Sequence, residues 1–147
     1  MKIGIANDHA ATALKFKIIE HLQNKGYEVI NYGFDQTESC DYPIAGEKLA
    51  RGIMNNEAEL GIAICGTGAG ISMACNKVKG IRTAACSEPL TAALMREHNN
   101  AQIVCFGARI VGEEMAYKIV DTFLETPFSN GERHIKRINL LKEIEEK

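Results

Sequence analysis

The sequence predicts a Rossmann-like α/β sandwich of three layers, with a five-stranded parallel sheet between helices and a helical tail at the C-terminal end. Three observations predict it. Apolar runs of strand length alternate with longer segments whose apolar residues recur at helical spacing. The connections between them are short, which for parallel strands means right-handed crossovers and helices on both faces. The central run, Leu60-Gly-Ile-Ala-Ile-Cys65, is apolar throughout and bounded by glycine, as a strand buried on both faces is. The expected strand order is the common 2-1-3-4-5, with its switch point between the first and third strands. A chain of 147 residues with 46% hydrophobic content supports one sizeable core, so residues 1–147 are expected to form a single domain.

Taken in order, Lys2-Ile-Gly-Ile-Ala6 is the first strand. Asp8 reads as an N-cap before a helix over Ala11 to Lys25, where Leu14, Ile18, Ile19 and Leu22 share a side and Gly26 ends the repeat. Glu28 to Tyr32 is the second strand. A polar loop then runs through Cys40-Asp41-Tyr42-Pro43 into a helix from about Ile44 to Met54, with Ala45, Leu49, Ala50 and Ile53 inward. The third strand ends at Cys65 in a glycine-rich turn, and Ile71 to Val78 is a helix. Ile81 to Cys86 is the fourth strand, followed by Ser87 as N-cap and Pro89 in the first turn of a helix to about Glu97, closed by His98-Asn99-Asn100 with Asn99 as a C-cap. Ile103 to Phe106 is the fifth strand and Gly107-Ala-Arg109 its exit. Val111 to Leu124 is a helix with Met115, Ile119, Val120 and Phe123 turned inward. Beyond Gly131, Ile138, Leu141 and Ile144 recur among charges, an amphipathic closing helix over about residues 131–147 expected to pack at a subunit interface.

Composition excludes several classes of function. A net charge of −2 carries no basic excess for nucleic acid, and no apolar run approaches the ~20 residues of a membrane span. The N-terminal apolar stretch reads as a strand rather than a signal peptide, so the expected location is cytoplasmic. Five cysteines without a C-x-x-C pair argue against a disulfide framework and against structural zinc.

The turn after Cys65 is the richest stretch chemically. Its glycines let successive N–H groups converge at a helix N-terminus, at the strand edge where open parallel sheets bind ligands. Ile71 stands where a dinucleotide fingerprint counted from Gly66 needs glycine, and also where a cysteine phosphatase loop needs arginine; a P-loop's Gly-Lys-Ser/Thr is missing. What remains is a cysteine beside amide donors, a place that favours a thiolate and can hold an enediolate oxyanion, or equally a buried structural thiol. Other candidates also have two readings. His9 is a phosphate donor or a solvated side chain. His98 is a proton carrier or a cation at a helix C-terminus. Arg109 leaves the fifth strand on the switch-loop edge, and Tyr42 is placed to wall the pocket. Arg133 and Arg137, four apart on one helical face, are a phosphate clamp or a solvated basic stripe. A receiver domain would need aspartate at Cys65 and lysine at Gly107, and a flavodoxin a Ser/Thr/Gly loop where Asp8-His9-Ala-Ala stands.

Taken together, Asp8-His9-Ala10, Asp41-Tyr42-Pro43, Ile64-Cys65-Gly66-Thr67-Gly68-x-Gly70-Ile71, Asn76-Lys77, Gly80-Ile81-Arg82, Arg96-Glu97-His98-Asn99, Gly107-Ala-Arg109 and Arg133-His134 with Arg137 resemble the type B ribose-5-phosphate isomerases. The match covers nearly the whole chain. The broader family includes galactose-6-phosphate isomerase subunits and isomerases of allose 6-phosphate. The resemblance implies isomerisation of ribose 5-phosphate and ribulose 5-phosphate through a cis-enediolate, with no cofactor and no metal. It implies Cys65 as the base, the amides of Gly66 to Gly70 on the charged intermediate, and Thr67 and His98 in ring opening. Asp8 would bind sugar hydroxyls and help relay protons, Asn99 would also contact the sugar, and His9, Arg109, Arg133 and Arg137 would hold the phosphate. It also implies a homodimer or homotetramer sharing sites between subunits. A hexose 6-phosphate isomerase and a non-catalytic sugar-phosphate-binding protein are the alternatives. Departures from the family pattern at Asn7 and at Ala11-Thr12 are expected to flank the sugar pocket and bear on the substrate, and Cys75 to pack behind the turn.

Overall fold

Apolar runs with β-branched residues on alternate positions become strands, and in the computed structural model, which describes residues 1–147, they form one parallel sheet. Its strands are β1 (Lys2–Asn7), β2 (Glu28–Asn31), β3 (Leu60–Cys65), β4 (Thr83–Ala85) and β5 (Ile103–Gly107). The helices are α1 (Thr12–Asn24), α2 (Tyr42–Met54), α3 (Ala69–Asn76), α4 (Pro89–Glu97), α5 (Glu113–Glu125) and α6 (Glu132–Glu145). A single 3-10 turn, His9–Ala11, joins β1 to α1.

The strand order is β2-β1-β3-β5-β4, which corrects the expected 2-1-3-4-5. The reason is burial. All five residues of β5 are buried and need strands on both sides, whereas β4 is three residues long with Ala84 and Ala85 exposed, fit only for an edge. The switch point between β1 and β3 is unaffected. The exchange sets β5 directly beside β3, pairing Cys65 with Gly107.

The two faces of the sheet pack differently. Ile3, Ile5, Ile62, Ile64, Val104 and Phe106 meet α1, α4 and α5 through Ile18, Leu22, Ala92, Met95, Ile119 and Phe123. On the other face the strands present small side chains, Ala6, Ala63, Cys65 and Cys105, so α2 and α3 approach closely through Leu49, Ile53, Ile71 and Cys75. Cys65 therefore lies on the face covered by α2 and α3.

Smaller expectations need correcting. Met115 is 41% exposed rather than inward, because Ala116, Ile119, Val120 and Phe123 already fill the inner stripe of α5. Glu88, not Ser87, caps α4, its carboxylate accepting from Thr91 N–H at 2.8 Å. His98 is the C-cap of α4, and Asn100 takes the left-handed turn with φ 45°. On α6 only His134 and Ile138 are buried within the chain; Leu141 and Ile144, with Ile135 and Leu140, are exposed.

Candidate active site

β3 delivers Cys65 to the carboxyl-terminal edge of the sheet, and the chain then turns sharply. Gly68 makes the turn possible. Its φ is +83°, and a Cβ there would stand 2.7 Å from the Phe106 carbonyl carbon. The turn folds Gly68 N–H back onto Cys65 Sγ at 3.1 Å, a donor that stabilises a thiolate. Thr67 Oγ1 accepts from Ala69 N–H at 3.2 Å and is exposed at the turn's tip. Gly66 and Gly68 are buried, and Gly70 lies in the first turn of α3.

Neighbouring strands complete this edge. Asp8 is buried; its N–H donates to Ile64 O at 3.2 Å and its carboxylate accepts from Ala10 N–H at 3.0 Å, so the predicted N-cap also sits beside the end of β3. His9 follows it, with Nδ1 accepting from Cys40 N–H at 3.1 Å. The Tyr42 ring lies over Gly70, where a Cβ would come within 2.6 Å of it. The exit of β5 is strapped to the turn by Ala108 N–H to Cys65 O at 2.9 Å and Arg109 N–H to Gly66 O at 3.0 Å. The Arg109 guanidinium thus lies beside Gly66. Asp8, His9, Tyr42, Cys65, Gly66, Thr67, Gly68, Gly70 and Arg109 share one edge.

Burial disfavours ionisation of three of the other thiols. Burial pushes Cys105 well up, with Cys75 adding to it. Burial pushes Cys86 up to about 11, with Glu88 contributing. Burial also raises Cys40, and Asp8 and Asp41 oppose its ionisation. Cys75 packs as expected, its Sγ 3.4 Å from Gly46 O. No group of three or more His, Cys, Asp or Glu side chains is arranged to hold a metal ion.

The remaining predicted residues lie elsewhere. His98 and Asn99 end α4 just before β5 begins, and Asn99 O accepts from Arg82 Nε at 2.9 Å next to the start of β4. The His98 and His134 rings pack with centroids 4.4 Å apart, tilted by 31°, which brings the start of α6, and with it Arg133, to the same place; Arg137 follows one turn along α6, and both arginines are exposed. This is the amino-terminal edge. Cys65 pairs with the far end of β5, and the strand from Ile103 to Gly107 spans roughly 13 Å. Within one chain His98, Asn99, Arg133 and Arg137 do not join Cys65.

Sequence reasoning left two features without a role. His134 is buried, its Nδ1 2.6 Å from Ser129 Oγ. Lys15 is fully buried, and its signal was legible: with Ile18 and Leu22 it lies on the inner stripe of α1. Asn7 and Thr12, the departures from the family pattern, are buried too, on either side of Asp8 and His9. Their side chains hydrogen-bond to Phe34 O at 2.9 Å and Gln36 O at 2.7 Å, carbonyls of the loop between β2 and α2.

With this geometry in view, residues 3–141 match the profile of the ribose/galactose isomerase family. The chain is 42% identical to ribose-5-phosphate isomerase B of Escherichia coli over 146 residues, 99% of this chain and 97% of that one. It superposes on the ribose-5-phosphate isomerase B structure from Clostridium thermocellum with a TM-score of 0.97 and 48% identity, covering 99% and 98% of the two chains. It is also 40% identical to D-erythrulose-4-phosphate isomerase of Pectobacterium atrosepticum, over 89% of this chain and 87% of that one.

Proposed function

As a member of the ribose/galactose isomerase family the chain is an aldose–ketose isomerase, and we propose that it interconverts ribose 5-phosphate and ribulose 5-phosphate with Cys65 as the base. What carries the assignment is the position of Cys65 Sγ at the end of β3, 3.1 Å from Gly68 N–H and beside a turn of converging amides. The thiolate takes the proton from C2 of the open-chain aldose as the carbonyl electrons move onto O1. The resulting cis-enediolate is held by the N–H groups of the Gly66–Gly70 turn, and as the same thiol returns the proton to C1 the O2–H proton passes to O1, leaving the C2 carbonyl of the ketose. One base on one face suffices for both transfers. Thr67 and His98 assist ring opening, Asp8 and Asn99 hold sugar hydroxyls, and His9, Arg109, Arg133 and Arg137 hold the phosphate.

Such a site requires two copies of the chain. His98, Asn99, Arg133 and Arg137 stand at the edge opposite Cys65, so they serve the Cys65 of a neighbouring subunit. Support comes from the exposed Ile135, Leu140, Leu141 and Ile144 of α6. A groove of about 460 Å³ between α6 and the free β4 edge, lined by Ile81, Ala84, Met95, Leu141 and Ile144, supports it further.

The test compares kcat/KM for ribose 5-phosphate, D-erythrulose 4-phosphate, allose 6-phosphate and galactose 6-phosphate on purified protein with EDTA present. Ribose 5-phosphate is expected to lead by about tenfold or more, since one missing or added carbon unit with its hydroxyl leaves site groups unpaired. A different leading sugar would replace the substrate. Absence of turnover with all four would leave a binding protein.

A further inference from the structure

Three buried polar side chains outside the reacting set converge on one loop. Residues 32–41 connect β2 to α2 without regular structure. Asn7 Nδ2 donates to Phe34 O at 2.9 Å and to Asp8 O at 2.8 Å. Thr12 Oγ1 donates to Gln36 O at 2.7 Å. Lys15 Nζ donates to Phe34 O at 2.7 Å and pairs with the Asp35 carboxylate, which that contact holds below the usual carboxylate range. At its far end the loop presents Cys40 N–H to His9 Nδ1 at 3.1 Å, and it continues into Tyr42 over Gly70.

We propose that Asn7, Thr12 and Lys15 are positioning residues. They latch this loop to the first turns of the chain so that Cys40 N–H holds His9 with its proton on Nε2, as a donor to the substrate's phosphate. The proposal rests on His9 as a phosphate ligand. Its chemistry is simple: a backbone N–H only donates, so Nδ1 must present its lone pair, and the neutral ring carries its proton on Nε2.

Two features set the latch apart from ordinary loop anchoring. Lys15 has no exposed side-chain surface while its one carboxylate partner, Asp35, is largely exposed, an arrangement a buried methionine would avoid. Asn7 is turned so that its amide N–H groups reach Phe34 O of the loop and Asp8 O beside His9 while its Oδ1 is left without a donor, and Gly33 is required because a Cβ there would overlap that oxygen. Both side chains are committed to the loop at their own expense. The segment carrying them brackets Asp8 and His9 on both sides, so loop and imidazole move together.

The test uses the full chain, wild type beside Lys15→Met and Thr12→Val. Three measurements are read: the ¹⁵N shifts of the His9 ring, the Kd for inorganic phosphate, and kcat and KM for ribose 5-phosphate. Wild type is expected to show Nδ1 unprotonated. In Lys15→Met the ring should populate both tautomers, with Kd and KM up about tenfold and kcat within about twofold. Thr12→Val should move the same way by about threefold. Folded variants that keep the wild-type ring shifts and phosphate affinity, or that lose kcat at constant KM, overturn the latch. If Lys15→Met does not fold, Thr12→Val decides by the same criteria. Failure of wild type to turn over ribose 5-phosphate would defeat the substrate assignment alone, because the ring spectrum and phosphate titration still decide the latch.

Discussion

The two edges of the sheet are built from different materials. At the carboxyl-terminal edge the thiol and the groups nearest it are buried or main-chain, Cys65, Asp8 and the glycines of a turn fixed by Gly68 at φ +83°, while Thr67 and Arg109 beside them are exposed. At the amino-terminal edge they are largely exposed side chains, with Asn99, Arg133 and Arg137 in solvent and only His134 buried beneath His98. The first edge is complete in its own chain, since strand ends and a tight turn already aim its donors. The second has cations and a histidine but no thiol, and on the proposed reading it joins a site only when another chain docks against it.

The largest effect should come from removing the thiol. Cys65→Ala is expected to lower kcat by about 10²–10⁴-fold while phosphate affinity stays close to wild type. Near-normal kcat in steady-state assays would remove Cys65 from the mechanism. A sharper measurement sets the two edges against each other. Cys65→Ala and His98→Asn proteins, each inactive alone, are mixed and allowed to exchange subunits. If opposite edges of two chains make one site, random pairing should restore about a quarter of wild-type activity, because half the pairs are hybrid and each hybrid holds one intact site. No recovery, with exchange verified by mass, would mean that the edges do not combine.

The smallest effect concerns pH. Burial, and then the charges of His98, Arg133 and Arg137, hold the His134 imidazole below its ordinary value of 6.5. The unfolded chain therefore takes up that proton more readily than the folded one. Stability from this group is complete above 6.5 and is lost as pH falls through the window down to the lowered folded value. The wild-type Tm should drop between about pH 7.5 and about pH 5.5 by a degree or two more than that of His134→Gln, on the order expected for one weakly shifted group. Equal drops would show that His134 is not the group responsible.

Much of the carboxyl-terminal edge was legible from residue order. An apolar strand, a cysteine and three nearby glycines are a local pattern, and so is Asp8 capping the turn after β1. The strand order was not, because adjacency of β5 to β3 depends on which strand is buried on both sides and which is left at the rim. Without that order Arg109 could be placed on the right edge but not beside Gly66. The latch was half legible, since Lys15 stands on the inner stripe of α1, yet its acceptors at Phe34 and Asp35 lie across a loop that carries no periodicity.

The sequence by itself determined the alternation of strands and helices, the parallel sheet with its switch point, and the tight glycine turn after Cys65, because periodicity, capping and glycine conformation act over a few neighbouring residues. Only the tertiary structure decided the place of β4, the hydrogen bonds of Asn7 and Thr12 to the loop before α2, and the separation of His98, Arg133 and Arg137 from Cys65. Those depend on packing and strand direction: a helix that returns along a parallel sheet delivers its last residues to the opposite edge, and no local pattern of residues records that distance.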